Sequence, residues 1–230
     1  MNSKNIVNEQ DLLKKFTKGL IVSCQPVPDS PMDTNEIVVA MAKAAVAGGA
    51  VGLRIEGAER VRAVHNEVKV PIIGIVKRDL VESDVRITPF LDDVQALADA
   101  GAAVIAFDGT DRERPVPTAE LLAKVHQLGC IAMADCADVA SAKTLAEQGC
   151  TFIGTTLSGY LGGPVPDEPD FELLQNFVQL GLNVVAEGRY NTPQLAAQAI
   201  KLGALCVTVG SAITRLEHIT GWFADKIQSV

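Results

Sequence analysis

Eight short apolar runs punctuate the chain: GLIVSC (19–24), VGLRI (51–55), PIIGIV (71–76), AVIAF (103–107), CIAMA (130–134), TFIGTT (151–156), NVVA (183–186) and CVTVG (206–210). They are almost continuously apolar, with little in–out alternation, which is the pattern of a strand covered on both faces. Between them lie stretches such as TNEIVVAMAKAAVAGG, LDDVQALADAGA, TAELLAKVHQLG and TPQLAAQAIKLG. Their apolar residues recur at i, i+3 and i+4, the spacing of one helix face. Gly101, Gly129, Gly149, Gly181 and Gly203 each stand just ahead of a strand run, where a helix ends on a left-handed glycine. The result is eight strand–helix units with a period of about 26 residues, preceded by a short helix around Asp11–Phe16.

Parallel strands joined by helices form either an open doubly wound sheet or a closed (β/α)8 barrel. Eight near-equal units in 230 residues match the roughly 200–250 residues of a minimal barrel. An open sheet of eight strands would leave two edges to protect. The expected fold is therefore α/β, a (β/α)8 TIM barrel with a short extra N-terminal helix. No linker or composition break marks a second domain, so residues 1–230 are expected to form one barrel domain.

Active sites of such barrels lie at the C-terminal ends of the strands, and the polar residues that close each run make a short inventory. They are Gln25; Arg54 and Glu56; Lys77, Arg78 and Asp79; Asp108; Asp135; Ser158; Glu187 and Arg189; and Ser211. Lys77 and Glu187 each follow at least three apolar residues, where a charge requires a partner or a function. After the last two strands stand Gly188 and the pair Gly210-Ser211, the place where barrels commonly bind phosphate through backbone N–H groups. Arg189 and Arg215 are positioned in sequence to add charge-assisted hydrogen bonds to a phosphate or a sugar. A lysine and a carboxylate at a barrel mouth suit proton transfer beside a carbonyl, provided that burial and neighbouring cations such as Arg54 lower the lysine pKa. The same lysine also suits a Schiff base. A barrel that binds a phosphosugar without catalysis is the remaining alternative.

Composition narrows the partners. Twenty basic against 28 acidic residues give a net charge of −8, which argues against a nucleic-acid backbone as partner but leaves room for a small anion held by a few arginines. Apolar residues form 48% of the chain and aromatics only 4%, so the core must be built from Ala, Val, Ile and Leu. The longest uncharged apolar stretch, 44–53, falls short of the roughly 20 residues that span a membrane. The start MNSKNIVNEQ has no apolar signal region, and a soluble cytoplasmic protein is expected. Cys24, Cys130, Cys136, Cys150 and Cys206 form no CxxC pair and read as buried reduced thiols. His65, His126 and His218 lack ligand partners at metal spacing, so no metal is expected. No histidine neighbours a serine or cysteine to activate a nucleophile.

The segments GIVKRD (74–79), ITPF (87–90), FDGTDRERP (107–115), MADCAD (133–138), AEGRYNTP (186–193) and VGSAITR (209–215) resemble the N-acetylmannosamine-6-phosphate 2-epimerase family. The likeness runs from Cys24-Gln25 to the last helix. The resemblance implies interconversion of N-acetylmannosamine 6-phosphate and N-acetylglucosamine 6-phosphate in sialic acid and amino-sugar catabolism, by deprotonation and reprotonation at C2 and without cofactor or metal. It carries the catalytic lysine onto Lys77 and the catalytic glutamate onto Glu187, and sugar-contacting roles onto Gln25, Arg54, Asp135 and Arg215. Phosphate is expected at Gly188, Arg189, Gly210 and Ser211. Phe90 and Leu216 depart from the family pattern, Phe90 where a small polar residue is commoner and Leu216 where proline is. A homodimer is compatible with this reading, but no feature of the sequence fixes its interface.

Overall fold

The computed structural model describes residues 8–162 and 164–230. The signal-sequence expectation rests mainly on residues 1–7, which lie outside the described residues. Eight strands, β1 (Gly19–Cys24), β2 (Gly52–Glu56), β3 (Ile72–Ile75), β4 (Val104–Asp108), β5 (Ile131–Asp135), β6 (Phe152–Gly154), β7 (Val184–Glu187) and β8 (Cys206–Val209), run parallel in sequence order. β8 pairs with β1, Gly19 against Cys206, and closes the barrel. Outside stand α2 (Asn35–Ala47), α3 (Ala58–Glu67), α4 (Leu91–Ala100), α5 (Thr118–Gln127), α6 (Val139–Glu147), α7 (Phe171–Gln179) and α8 (Pro193–Lys201). The chain opens with α1 (Glu9–Phe16) and closes with α9 (Ser211–Thr214) and α10 (Leu216–Gln228). This is the expected (β/α)8 barrel with its extra N-terminal helix.

Local chemistry sets the helix limits. Thr34, Asp138, Asp170 and Thr192 cap α2, α6, α7 and α8, each side chain accepting a backbone N–H of the first turn. Such caps contribute about 1 kcal/mol each. The five glycines expected at helix ends all have positive φ, from 73° at Gly129 to 105° at Gly203, a conformation that costs other residues energy. β6 is shorter than the run 151–156. The Thr155 hydroxyl exchanges hydrogen bonds with the backbone of Glu187, and Thr156 donates to Asp135.

The strands are apolar on both faces because the barrel has two cores. Along β4, Val104 and Ala106 join the cluster inside the barrel, while Ile105 and Phe107 join the layer under the helices. α1 closes the end where the strands begin: Leu12 and Phe16 belong to the inner cluster, and the Phe16 ring lies 5.6 Å from that of Phe152. Gly52 makes room for this plug, since a Cβ there would sit 2.8 Å from Phe16 Cε1. All five cysteines are buried, and burial pushes the Cys24, Cys150 and Cys206 thiols up to about 12. Among the described residues no helix is long and apolar enough to cross a membrane.

Removing the Phe16 ring should leave a cavity that the rigid barrel floor cannot close. Phe16→Ala is expected to cost about 3–5 kcal/mol, read as a lower urea midpoint at unchanged m-value.

Candidate active site

The two-residue period of a strand decides which polar residues enter the barrel. In β3, Ile73 and Ile75 face inward, so the next inward position is Lys77. By the same parity Ile21 leads to Ser23 and Gln25, Met133 to Asp135, Val185 to Glu187, and Cys206 to Thr208. In β2, Leu53 and Ile55 belong to the outer layer, which turns Arg54 inward. These inward positions meet at the strands' C-terminal ends and form a cavity of about 440 Å³, a usual size for a small-molecule site. Its lining includes Gln25, Arg54, Lys77, Glu187, Gly188, Arg189, Gly210, Ser211 and Arg215. Nine of the ten residues expected at the site thus face one cavity.

The tenth, Asp135, does not line it. It is fully buried and both its carboxylate oxygens are occupied: Arg54 donates to them over 3.1 and 2.6 Å, and Thr156 Oγ1 donates to Oδ1 over 2.6 Å. Asp135 thus acts as the anchor that aims Arg54. Arg189 lines the cavity and has partners of its own. Its guanidinium donates to the carbonyls of Ser158 and Glu168 and lies over the Tyr160 ring, so its side chain braces the segment between β6 and α7. Ser158 serves that segment too, donating to Asp170 at the start of α7.

Arg54 is 1% exposed, and its second partner is Glu187 Oε2 at 3.2 Å. That approach has the distance of an ion pair but not the alignment of a hydrogen bond, and Glu187 Oε2 accepts none from the described residues. Glu187 is therefore only half-compensated. Burial, together with the charge of Asp135, raises its pKa from 4.5 to about 7, against the opposing pull of Arg54 and Lys77. Lys77 moves the other way. Burial first, then the positive charges of Arg215 and Arg54, bring it down to about 8, with Glu56 opposing. An acid and a base with values drawn together near neutrality is the arrangement that proton transfer requires.

The surroundings hold this pair in place. The backbone of Lys77 bridges to Ile87, which ties β3 to the segment before α4. At the start of α4, Arg78 donates to both oxygens of Asp93 and stacks on Phe90, 5.7 Å from the ring centroid. That contact accounts for the phenylalanine. The Gln25 amide donates to Ser23 Oγ over 2.7 Å, while Gln25 Oε1 and Thr208 Oγ1 face the cavity buried and without a partner among the described residues. Buried polar atoms of this kind are satisfied by water or a ligand. Arg215 Nε donates to the Gln25 carbonyl over 3.0 Å and Thr214 Oγ1 to that of Ser23 over 2.7 Å, which pins α9 to the end of β1. Arg86 and Arg112 stand on the rim. Strand-end polarity alone missed Ser23, Thr156 and Thr208. The pleat parity of their strands would have found Ser23 and Thr208. Among the described residues no group of three or more His, Cys, Asp and Glu is arranged to hold a metal.

Closed parallel barrel and convergent acid/base cavity together define a (β/α)8-barrel enzyme. The family model described as "Putative N-acetylmannosamine-6-phosphate epimerase" matches residues 38–229, and the chain belongs to that family of isomerases. It is 56% identical over 223 residues to a "Putative N-acetylmannosamine-6-phosphate 2-epimerase" of Actinobacillus pleuropneumoniae, covering 97% of each chain. A protein of the same description from Haemophilus influenzae is 56% identical over 220 residues, 96% of each. The solved N-acetylmannosamine-6-phosphate 2-epimerase of Clostridium perfringens superposes with a TM-score of 0.90 at 37% identity, over 93% of this chain and 95% of that one.

The raised pKa of Glu187 makes a stability prediction with a definite sign. Between 4.5 and about 7 the folded chain holds a proton that the unfolded chain has released, so stability falls as pH rises through this window. Glu187→Gln, which mimics the protonated acid, should gain in melting temperature over the parent as pH goes from 4 to 8. Parallel pH dependences of the two proteins would contradict the assignment.

Proposed function

We propose that this enzyme interconverts N-acetylmannosamine 6-phosphate and N-acetylglucosamine 6-phosphate by moving the proton at C2, with Lys77 and Glu187 as the acid/base pair. The observation that carries the proposal is the facing of these two groups into one cavity, with values near 8 and 7. The names borne by its relatives support the substrate. So does the concentration of cations around the cavity, Lys77, Arg86, Arg112 and Arg215, in a chain of net charge −8. Such a substrate places the reaction in amino-sugar and sialic acid catabolism in the cytoplasm, and the chemistry calls for no cofactor.

The C2 hydrogen is acidic only when C1 is an aldehyde, so the sugar ring opens first. One member of the pair, in its basic form, takes the proton from C2, and the electron pair of that bond moves toward the C1 carbonyl as an enolate. The other member, in its acidic form, then delivers a proton to the opposite face of C2. The reverse reaction exchanges the two roles. Arg54 and Arg215 offset the negative charge that develops, and Arg54 also holds Glu187 in position. Gln25, whose amide is fixed by Ser23, orients polar groups of the sugar. The phosphate sits against the backbone of Gly188, Arg189, Gly210 and Ser211, where glycine permits close approach.

Turnover in heavy water should place deuterium at C2 of the product, read by proton NMR. Lys77→Ala is expected to lose epimerisation by about 10²–10⁴-fold, the usual contribution of a general acid or base. Lys77→Arg should fail as well, because a guanidinium does not release its proton in the working range. Full activity of Lys77→Ala would remove Lys77 from the mechanism. A covalent adduct trapped by borohydride would transfer the lysine to Schiff-base chemistry instead.

The productive pair carries one proton in either direction of reaction. Below about 7 both groups are protonated, and above about 8 both are deprotonated. Values of kcat/KM should therefore trace a narrow bell whose limbs lie near 7 and 8 and coincide for the two substrates. Asp135→Asn, which removes the negative charge beside Glu187, should move the acid limb to lower pH.

A further inference from the structure

The acid/base chemistry leaves one buried carboxylate of the cavity without a role. Asp108 closes β4, and the parity that turns Val104 and Ala106 inward turns it inward as well. It lines the cavity and is wholly buried. Three neighbours hold it. Arg114 donates to its carbonyl over 2.8 and 2.7 Å, and the Thr110 hydroxyl donates to Oδ1. Arg112 donates from Nη2 to Oδ2, and from Nε to Thr110 Oγ1 over 3.0 Å. Removing a partner from such a group leaves a buried charge uncompensated, so the set is a rigid mount. What it mounts is Arg112, which lines the cavity with its side chain 23% exposed.

Arg112 has a donor to spare. Its Nη1 serves none of the described residues, whereas the other arginines of the cavity are committed. Arg54 is divided between Asp135 and Glu187, Arg86 pairs with Asp79, Arg189 braces its loop, and Arg215 is tied to the carbonyl of Gln25. One carboxylate against two guanidiniums also leaves a positive excess at the end of β4. The loop that carries Arg112 is fastened to the loop before α4 by Ser83, which donates to the Glu113 carbonyl. An arginine held in this way offers a fixed N–H to an acceptor oxygen and repels a cation.

The order of the barrel sets this donor against one part of the substrate. Given the epimerase reading, on which this inference rests, the phosphate lies at the ends of β7 and β8, and C2 lies at Lys77, which follows β3. β4 is the neighbour of β3 and stands four strands from β8 in the closed ring. C6 carries the phosphate and is the far end of the sugar from C2, so the substituent on C2 lies away from the phosphate, toward the end of β4. In the substrate that substituent is an acetamido group, whose carbonyl accepts hydrogen bonds. We propose that Arg112, aimed by Asp108, donates from Nη1 to the carbonyl of the C2 acylamino group and so selects 2-acylamino sugar phosphates over those with a free amine or a hydroxyl at C2. A hydroxyl brings no carbonyl to the donor. A free amine is protonated near neutral pH and meets the positive excess of Arg112 and Arg114, in a cavity that Lys77 and Arg54 also line. Arg112 reads the substrate directly, and Asp108 is a positioning residue.

Three ligands that share the 6-phosphate test it on the full-length protein: N-acetylglucosamine 6-phosphate, glucose 6-phosphate and glucosamine 6-phosphate. Affinities are read by calorimetry, the weaker ligands by displacement. Arg112→Gln should weaken the N-acetyl ligand by about 10- to 100-fold, the worth of a hydrogen bond from a charged donor. It should leave glucose 6-phosphate unchanged and tighten glucosamine 6-phosphate. Arg112→Lys keeps the charge without the mount, and should weaken the N-acetyl ligand without tightening the amine. Asp108→Asn should show the same selective loss of the N-acetyl ligand; where it fails to fold, Arg112→Gln, at a partly exposed position, still decides. Equal weakening of all three ligands, or an N-acetyl ligand bound by Arg112→Gln as tightly as by the wild type, overturns the proposal. A wild type that neither binds nor converts N-acetylglucosamine 6-phosphate overturns the epimerase reading and this inference with it. A wild type that converts it, beside an Arg112→Gln of undiminished affinity, removes only the role given to Arg112.

Discussion

The inside of a closed eight-stranded barrel has room for side chains and for little else, and every inward residue must find its partners there. In the lower part the partners are apolar, with Ile21, Ile73, Val104, Met133, Phe152 and Val185 filling the interior above the Phe16 plug. In the upper part the inward positions become Arg54, Asp135 and Glu187, and the filling becomes ionic. A guanidinium that is 1% exposed is tolerable only because Asp135 takes two of its donors and Thr156 completes Asp135. Removing one member of such a group leaves an uncompensated buried charge, which is far costlier than the pair itself is worth.

The chemistry of the site follows from an imbalance in that network. One arginine is shared between two carboxylates, and Asp135 has the better geometry. Glu187 keeps the ion-pair distance without the hydrogen bond, and so its proton is held up to about 7. Lys77 faces the same cavity from the opposite sense of charge, with Arg54 and Arg215 near enough to weaken its hold on a proton. A single buried cation therefore lowers both values, Glu187 from the height that burial gives it and Lys77 from its ordinary range. Burial draws the two values together, raising Glu187 and lowering Lys77 to within about one unit of each other.

The mouth and the rim are built by segments that earn their order from the barrel. The stretch between β6 and α7 is braced by Arg189 and Ser158, and the stretch between β3 and α4 by the Lys77–Ile87 bridge and the Arg78–Asp93–Phe90 group. α9 is tied to β1 by Thr214 and Arg215, so the last strand's loop is fixed from the first strand. α10, which follows, has no buried residue, and an apolar groove lies open beside the seam between β8 and β1.

What the sequence determined by itself is the periodic part of the protein. Doubly apolar runs, i, i+3, i+4 faces and terminal glycines depend on local geometry, so eight units, the barrel and the strand-end position of Lys77 and Glu187 were all legible. The resemblance in GIVKRD, AEGRYNTP and VGSAITR pointed to the family that the comparisons bear out. Strand-end position alone does not state which residue meets which across the barrel. That Asp135 anchors Arg54 instead of facing the cavity, that the Arg189 side chain braces a loop, and that Thr156 rather than Ser158 completes the ionic group were decided by contacts between residues 21 to 81 positions apart. The fate of α10 was hidden for the same reason. Its pattern of apolar residues is that of any barrel helix, and only the packed molecule shows that its own barrel leaves that face uncovered.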